Sequence, residues 1–271
     1  MAVTRKPRVV NPLLPAGKAA TVLYVLFIGL PLVALVVRGA GEERFFASLT
    51  SPIALQALRL SAITSTVSLI IIVLLGTPFA YLLARSDSRV LRFVDSLVEL
   101  PIVLPPVVAG VAMLMAFGRR GLLGTPLEVV GITLPFTTTA VLFAQVFIAA
   151  PFYIRSAKLG FQAVDRNYED LSQTLGLSPW HTFWRLTLPL ARPGLIGGAA
   201  LAWARALSEF GATIMFAGNF MGRTQTMPLA ILSAMESDIP AALALSVLLT
   251  VASALLLVLL RLLGGRLGGR A

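Results

Sequence analysis

The chain has 271 residues, of which 57% are hydrophobic and 13% charged, and its mean hydropathy is +0.89. A water-soluble protein of this length needs far more charge on its surface, so the apolar excess faces lipid. The absence of cysteine excludes disulfides, zinc-thiolate sites, iron–sulfur clusters and cysteine nucleophiles, and a lone His181 excludes a multi-histidine site.

A bilayer core about 30 Å thick needs roughly 20 mostly apolar residues per helix. The first such run, Ala19 to Val37, follows a basic arm over residues 1–18. No small-x-small cleavage site follows it, so it is expected to be a retained helix rather than a signal peptide. The second span is expected over Leu58 to Ala84. A third, Leu97 to Phe117, holds Pro101, Pro105 and Pro106, which membrane helices tolerate where neighbours re-satisfy the backbone. The fourth covers Thr137 to Tyr153, the fifth Gly194 to Phe216 and the sixth Ala241 to Leu263. The expected fold class is therefore an all-α integral membrane protein with about six transmembrane helices. Its parts are an arm (1–18), a transmembrane domain (19–263) and a basic tail (264–271).

Orientation follows from where Lys and Arg fall between the spans. With both termini cytoplasmic, the inside holds fifteen of the 22 basic residues. The outside keeps Arg38, Arg44, Arg59, Arg119, Arg120 and Arg223, and Arg205 lies within a span. An even number of spans agrees with this, and the net charge of +10 is accounted for without nucleic acid. The expected location is the inner membrane, multi-pass.

The segment from about 155 to 192 is too long for a simple turn. It carries Asp165, Glu169 and Asp170 and an amphipathic helical stretch near Tyr168 to Leu175, which Gly176 and Pro179 punctuate. Such a helix docks on the bundle itself, on lipid or in a partner's groove. No Gly-rich phosphate loop ending in Lys-Ser/Thr occurs, so an energy-using transporter of this kind borrows its engine.

That segment resembles the signature of permease subunits of ATP-binding-cassette importers: Glu-Ala-Ala, three residues, Gly, nine residues, Ile-x-Leu-Pro. Asp170, Leu171 and Ser172 occupy the triplet, Gly176 falls at the right spacing, and Leu186-Thr187-Leu188-Pro189 fits the close. The resemblance implies a type I ABC importer permease fold in which these residues form the ATPase-coupling helix. Three further stretches look like the molybdate importer permeases, with sulfate permeases as close relatives. They are ARALSEFGATIMFAGNFMGRTQTMPLAI from Ala204, FGRRGLLG from Phe117 to Gly124, and LPFTTTAVLFAQVFIAAPFYIRSAK from Leu134 to Lys158. The implied assembly is a homodimer with two ABC ATPase subunits, fed with molybdate or tungstate by an external oxyanion-binding protein and embedded in membrane lipid.

Arg205 and Glu209, four residues apart, are expected on one face of the fifth span. They either line the translocation path, where Arg205 balances an oxyanion, or form a structural ion pair, and the self-satisfied charges favour the second. Gly211, Thr213, Gly218 and Asn219 lie at the outer end of that span and are candidates for path or gate. Ser61, Thr64, Ser65 and Ser68 form a small-residue stripe suited to close helix packing or to pore lining. The run Gly222 to Thr226 reads as a solvated external turn, or as a contact for the binding protein or part of the gate. Glu99 is expected to reach water at the start of the third span, and His181 to be an ordinary interface or surface residue rather than a proton carrier. No catalytic residue, metal ligand or cofactor is expected. A sulfate or thiosulfate importer permease is the alternative within the family. A secondary transporter would show a repeat or an acidic relay, and an intramembrane enzyme a buried catalytic set, neither of which is visible.

Overall fold

The computed structural model describes residues 13–268, so Arg5, Lys6, Arg8 and Arg270 of the expected arm and tail lie outside the described residues. In chain order the helices are α1 (Leu13–Ala40), α2 (Phe45–Leu49), α3 (Pro52–Arg85), α4 (Arg89–Val103), α5 (Pro106–Phe117), α6 (Gly124–Val129) and α7 (Thr138–Gln162). There follow α8 (Arg166–Thr174), α9 (Pro179–Thr182), a π-helical turn (Phe183–Thr187), α10 (Leu188–Leu207), α11 (Gly211–Ala217), α12 (Met227–Ser237) and α13 (Ile239–Gly268). Four stretches are long and apolar enough to cross a bilayer: Gly17–Ala40, Pro52–Arg85, Thr138–Gln162 and Ile239–Val258. They coincide with the expected first, second, fourth and sixth spans.

The other two expected spans are corrected, because both are interrupted. The chain bends by 120° between α4 and α5. Leu104 and Pro105 each precede a proline, and both are extended, with ψ of 133° and 132°. A residue before proline is pushed out of the helical region, and two in succession end the helix. Pro101, one turn earlier, stays inside α4. The expected fifth span starts earlier, at Leu188, stops at Leu207, and resumes at Gly211 after a break at Ser208 to Phe210.

Small residues bring the central helices together. α7 and α10 approach so closely that a Cβ on Gly194 would stand 2.6 Å from the Cα of Gly160. There the Ser156 hydroxyl donates to the Gly194 carbonyl at 2.8 Å. The stripe on α3 packs inward, and each hydroxyl has a cross-helix role. Gln145 of α7 bridges Thr64 (3.2 Å) and Ser68 (3.0 Å), Trp203 Nε1 of α10 donates to Ser65 (3.1 Å), and the Met227 amide of α12 donates to Ser61 (2.7 Å). With these four side chains buried and bonded, the stripe is interhelical glue rather than a free wall. α1 contrasts with this core: its apolar side chains from Val22 to Val37 are largely exposed.

Candidate functional site

The first candidate site is an elbow at one end of the bundle, made by α8, α9 and the π-helical turn. Asp165 starts α8 by accepting from the Asn167 amide at 2.9 Å, and is thus a helix cap. Gly176 ends the helix with φ +85°. Its amide donates to Gln173 O (2.9 Å) and the Leu177 amide to Ser172 O (3.2 Å), the paired bonds of a left-handed helix stop. Ser178 then caps α9 through the His181 amide at 3.2 Å, with Pro179 as its first residue. Pro189 cannot donate to the carbonyl four residues back, and the widened turn from Phe183 to Thr187 accommodates it, so the chain runs helically from Pro179 into α10.

The elbow has two faces. Outward, Tyr168, Leu171, Leu175, Leu177 and Trp180 are exposed, Leu175 by 75% and Trp180 by 71%. An apolar row this open on a polar helix calls for a covering surface. Asp170 and Gly176 are exposed beside it, whereas Leu186, Leu188 and Pro189 are half-buried at the entry to α10. Ser172 is turned inward, bonded to the buried Thr182 hydroxyl at 2.7 Å. Of the signature residues, then, Asp170, Leu171 and Gly176 share the outer face and Ser172 closes the elbow on itself. Glu169, which the sequence reading named without giving it a partner, points into the structure and pairs with Arg85 of α3 at 2.7 Å.

The second candidate site is where the two interrupted spans meet. A Cβ on Gly211 would lie 2.7 Å from Pro106 Cβ, and one on Gly110 would lie 2.9 Å from Ala212 O, so α5 and α11 touch along their backbones. Arg205 and Glu209 do not share one continuous helix as expected, because α10 ends between them. Glu209 is instead a buried bridge across the break. Its Oε2 lies 2.6 Å from Arg205 Nη2 and its Oε1 accepts from the Ala212 amide at 2.9 Å, fixing the start of α11. The Glu209 side chain is 0% exposed and that of Arg205 25%. The cation thus keeps one edge open beside the exposed Leu201 and Ser208.

The remaining candidates support the far end. Thr213 is buried in α11, and Gly218 turns with φ +72° against Phe136 and Phe220. Asn219 donates to Ser233 Oγ of α12 at 2.9 Å. Of the two readings of Gly222 to Thr226, the solvated turn holds only for Gly222 and Arg223, since Thr224, Gln225 and Thr226 are buried. They are enclosed because α12, which the sequence reading left within a loop, packs on α3 and α13. Glu99 lies inside α4 rather than at a span's start. It faces Arg155 at 3.9 Å, while Asp95 pairs with Lys158, so α4 is tied to α7 by two ion pairs. His181 is exposed. Among the described residues no group of acidic or histidine side chains could hold a metal.

A helical membrane bundle with two interrupted spans and an uncovered apolar elbow is the framework of a transport permease. The chain belongs to the family of binding-protein-dependent transport system inner membrane components, whose pattern matches residues 76–269. It is 46% identical over 231 residues to the molybdenum transport system permease protein ModB of Mycobacterium tuberculosis, covering 85% of this chain and 87% of that one. It is 34% identical over 194 residues to the molybdate/tungstate transport system permease protein WtpB of Pyrococcus abyssi, covering 71% and 73%. A transmembrane chain in the crystal structure of a bacterial ABC transporter that imports the polysaccharide alginate superposes with a TM-score of 0.77 at 16% identity, covering 94% of this chain and 96% of that one. The fold is thus that of a type I ABC importer permease.

Proposed function

We propose that this chain is the permease subunit of an ATP-binding-cassette importer that carries molybdate, and tungstate with it, across the inner membrane. The observation that carries the cargo assignment is the 46% identity, over most of both chains, to a permease named for molybdenum transport. A homodimer encloses the path, two ATPase subunits drive it, and an external oxyanion-binding protein loads it. Both termini and the elbow face the cytosol, in keeping with the fifteen basic residues that this orientation places there. Lipid covers the exposed apolar helices.

In this reading the outer face of the elbow, with Asp170, Leu171, Leu175 and Gly176, seats in the ATPase. The apolar row supplies burial on docking, about 25 cal/mol per Å² of apolar surface covered. The glycine stop ends α8 cleanly, so ATPase closure moves α8 and α10 as bodies rather than unwinding them. Arg205 presents its open edge to the path. A translocated oxyanion meets there a cation already balanced by Glu209, which keeps attraction weak enough for release. Gly211, Thr213, Gly218 and Asn219 form the packed outer wall that moves with α11.

The test is uptake by vesicles holding the purified permease and its co-purifying ATPase, supplied with binding protein, ATP and labelled molybdate. Uptake that requires ATP and is blocked by excess tungstate but not by sulfate supports the assignment. Sulfate outcompeting molybdate would move the chain to the sulfate branch, and uptake without any ATPase would make it a secondary transporter.

A further inference from the structure

We propose that Glu169 is the positioning residue that links the elbow to two separate spans, α3 and α10, and that coupling passes through this one carboxylate. The inference rests on the importer reading above and names the joint inside it. Glu169 Oε1 accepts from Arg85 Nη2 at 2.7 Å and from the Thr187 hydroxyl at 2.8 Å. Arg85 is the last residue of α3, and Thr187 is the last of the π-helical turn that feeds α10. A single oxygen thus meets both levers.

Each lever is held in turn. Arg85 also donates to Val164 O at 3.2 Å, its guanidinium lies 5.9 Å from the centre of the Tyr81 ring, and Arg166 donates to its carbonyl at 3.2 Å. Tyr81 packs edge-on against Phe161 and Phe183, and Thr187 is fully buried. The acid and the guanidinium are themselves only 12% and 14% exposed, so their attraction is little screened by solvent. The outer face of α8 carries Leu171 and Leu175, away from Glu169. Without the joint, a push on that face is absorbed when α8 tilts about the Gly176 bend. With it, the push displaces Arg85 and Thr187 together. The Ser172–Thr182 bond cannot substitute, since it ties α8 only to the helical run that enters α10 and leaves α3 unattached.

The test uses the full complex in vesicles and reads molybdate carried per ATP hydrolysed. Glu169→Gln keeps the shape and removes the charge. The ratio should fall about tenfold, the scale of one charge-assisted hydrogen bond, while the subunits stay assembled and ATP is still hydrolysed. Arg85→Gln should give the same loss, and the double variant should be no worse than either, because both act through one contact. Thr187→Val should lose less, with α3 still attached. An unchanged ratio for Glu169→Gln, or additive losses in the double variant, would overturn the joint. Where a variant assembles poorly, the ratio within the assembled fraction decides, and a wild-type ratio there also overturns it. If wild-type vesicles carry no molybdate, the cargo assignment fails instead, and stimulation of ATP hydrolysis by the binding protein still reads the joint.

Discussion

The Cβ that Gly211 lacks would stand 2.7 Å from the Cβ of Pro106, with the proline's backbone carbon only 3.3 Å away. One proline belongs to the break in the third span and one glycine to the break in the fifth, so each interruption makes room for the other.

Gly211→Val should therefore force α5 and α11 apart. Overpacking of this kind costs about 1–3 kcal/mol, because backbone rather than a flexible side-chain end must move. Thermal unfolding in detergent should shift to lower temperature, and Gly211→Ala should show a smaller shift of the same sign. An unchanged melting temperature for the valine variant would remove the tight junction from the account.

Removing one member of the Arg205–Glu209 pair should hurt more than removing both. Glu209→Ala strips the Ala212 amide of its acceptor and leaves a half-buried guanidinium unpaired, and breaking such a buried pair costs about 3–5 kcal/mol. The double change to Arg205→Met and Glu209→Gln leaves no unpaired charge and retains an acceptor for the amide. Membrane yield and melting temperature of the single and double variants check the order.

At Gly176 a Cβ meets nothing within 4 Å, so the cost of substitution is conformational alone. A side chain at φ +85° is strained by about 1–2 kcal/mol, more for a β-branched residue and less for asparagine. Gly176→Val should reach the membrane normally yet bind the ATPase and import molybdate poorly, with Gly176→Asn in between. Normal pull-down and uptake by the valine variant would argue against a coupling role for this bend.

Leu171→Asp and Leu175→Asp change side chains that touch little in the isolated chain. Stability should stay within about 0.5 kcal/mol, as for surface substitutions generally. Recovery of the ATPase in a pull-down should nonetheless fall at least about tenfold, because a carboxylate enters an apolar contact. Equal recovery would place the ATPase elsewhere.

Four spans were legible because an uninterrupted apolar run of bilayer length has few other uses. The elbow was legible from its glycine-to-proline spacing. The breaks were not, although Leu104-Pro105-Pro106 carried a clear sign, because membrane helices so often absorb a proline that its presence does not locate a bend. The second break has no proline at all and depends on Glu209 finding the Ala212 amide, a tertiary outcome of a local sequence that also suits a helix. Glu169 was left without a partner because Arg85 is 84 residues away, and only the folded chain brings them together. α12 was missed although Met227-Pro228-Leu229-Ala230 has an N-terminal proline and an apolar run, since eleven residues are too few to register as a span.

In the proposed reading, a partner ATPase moves this bundle through its elbow. Vesicles containing the permease with and without its ATPase measure this directly. Labelled molybdate should accumulate only where permease, ATPase, binding protein and ATP are all present. Accumulation of the same extent by the permease alone, without nucleotide, would contradict it.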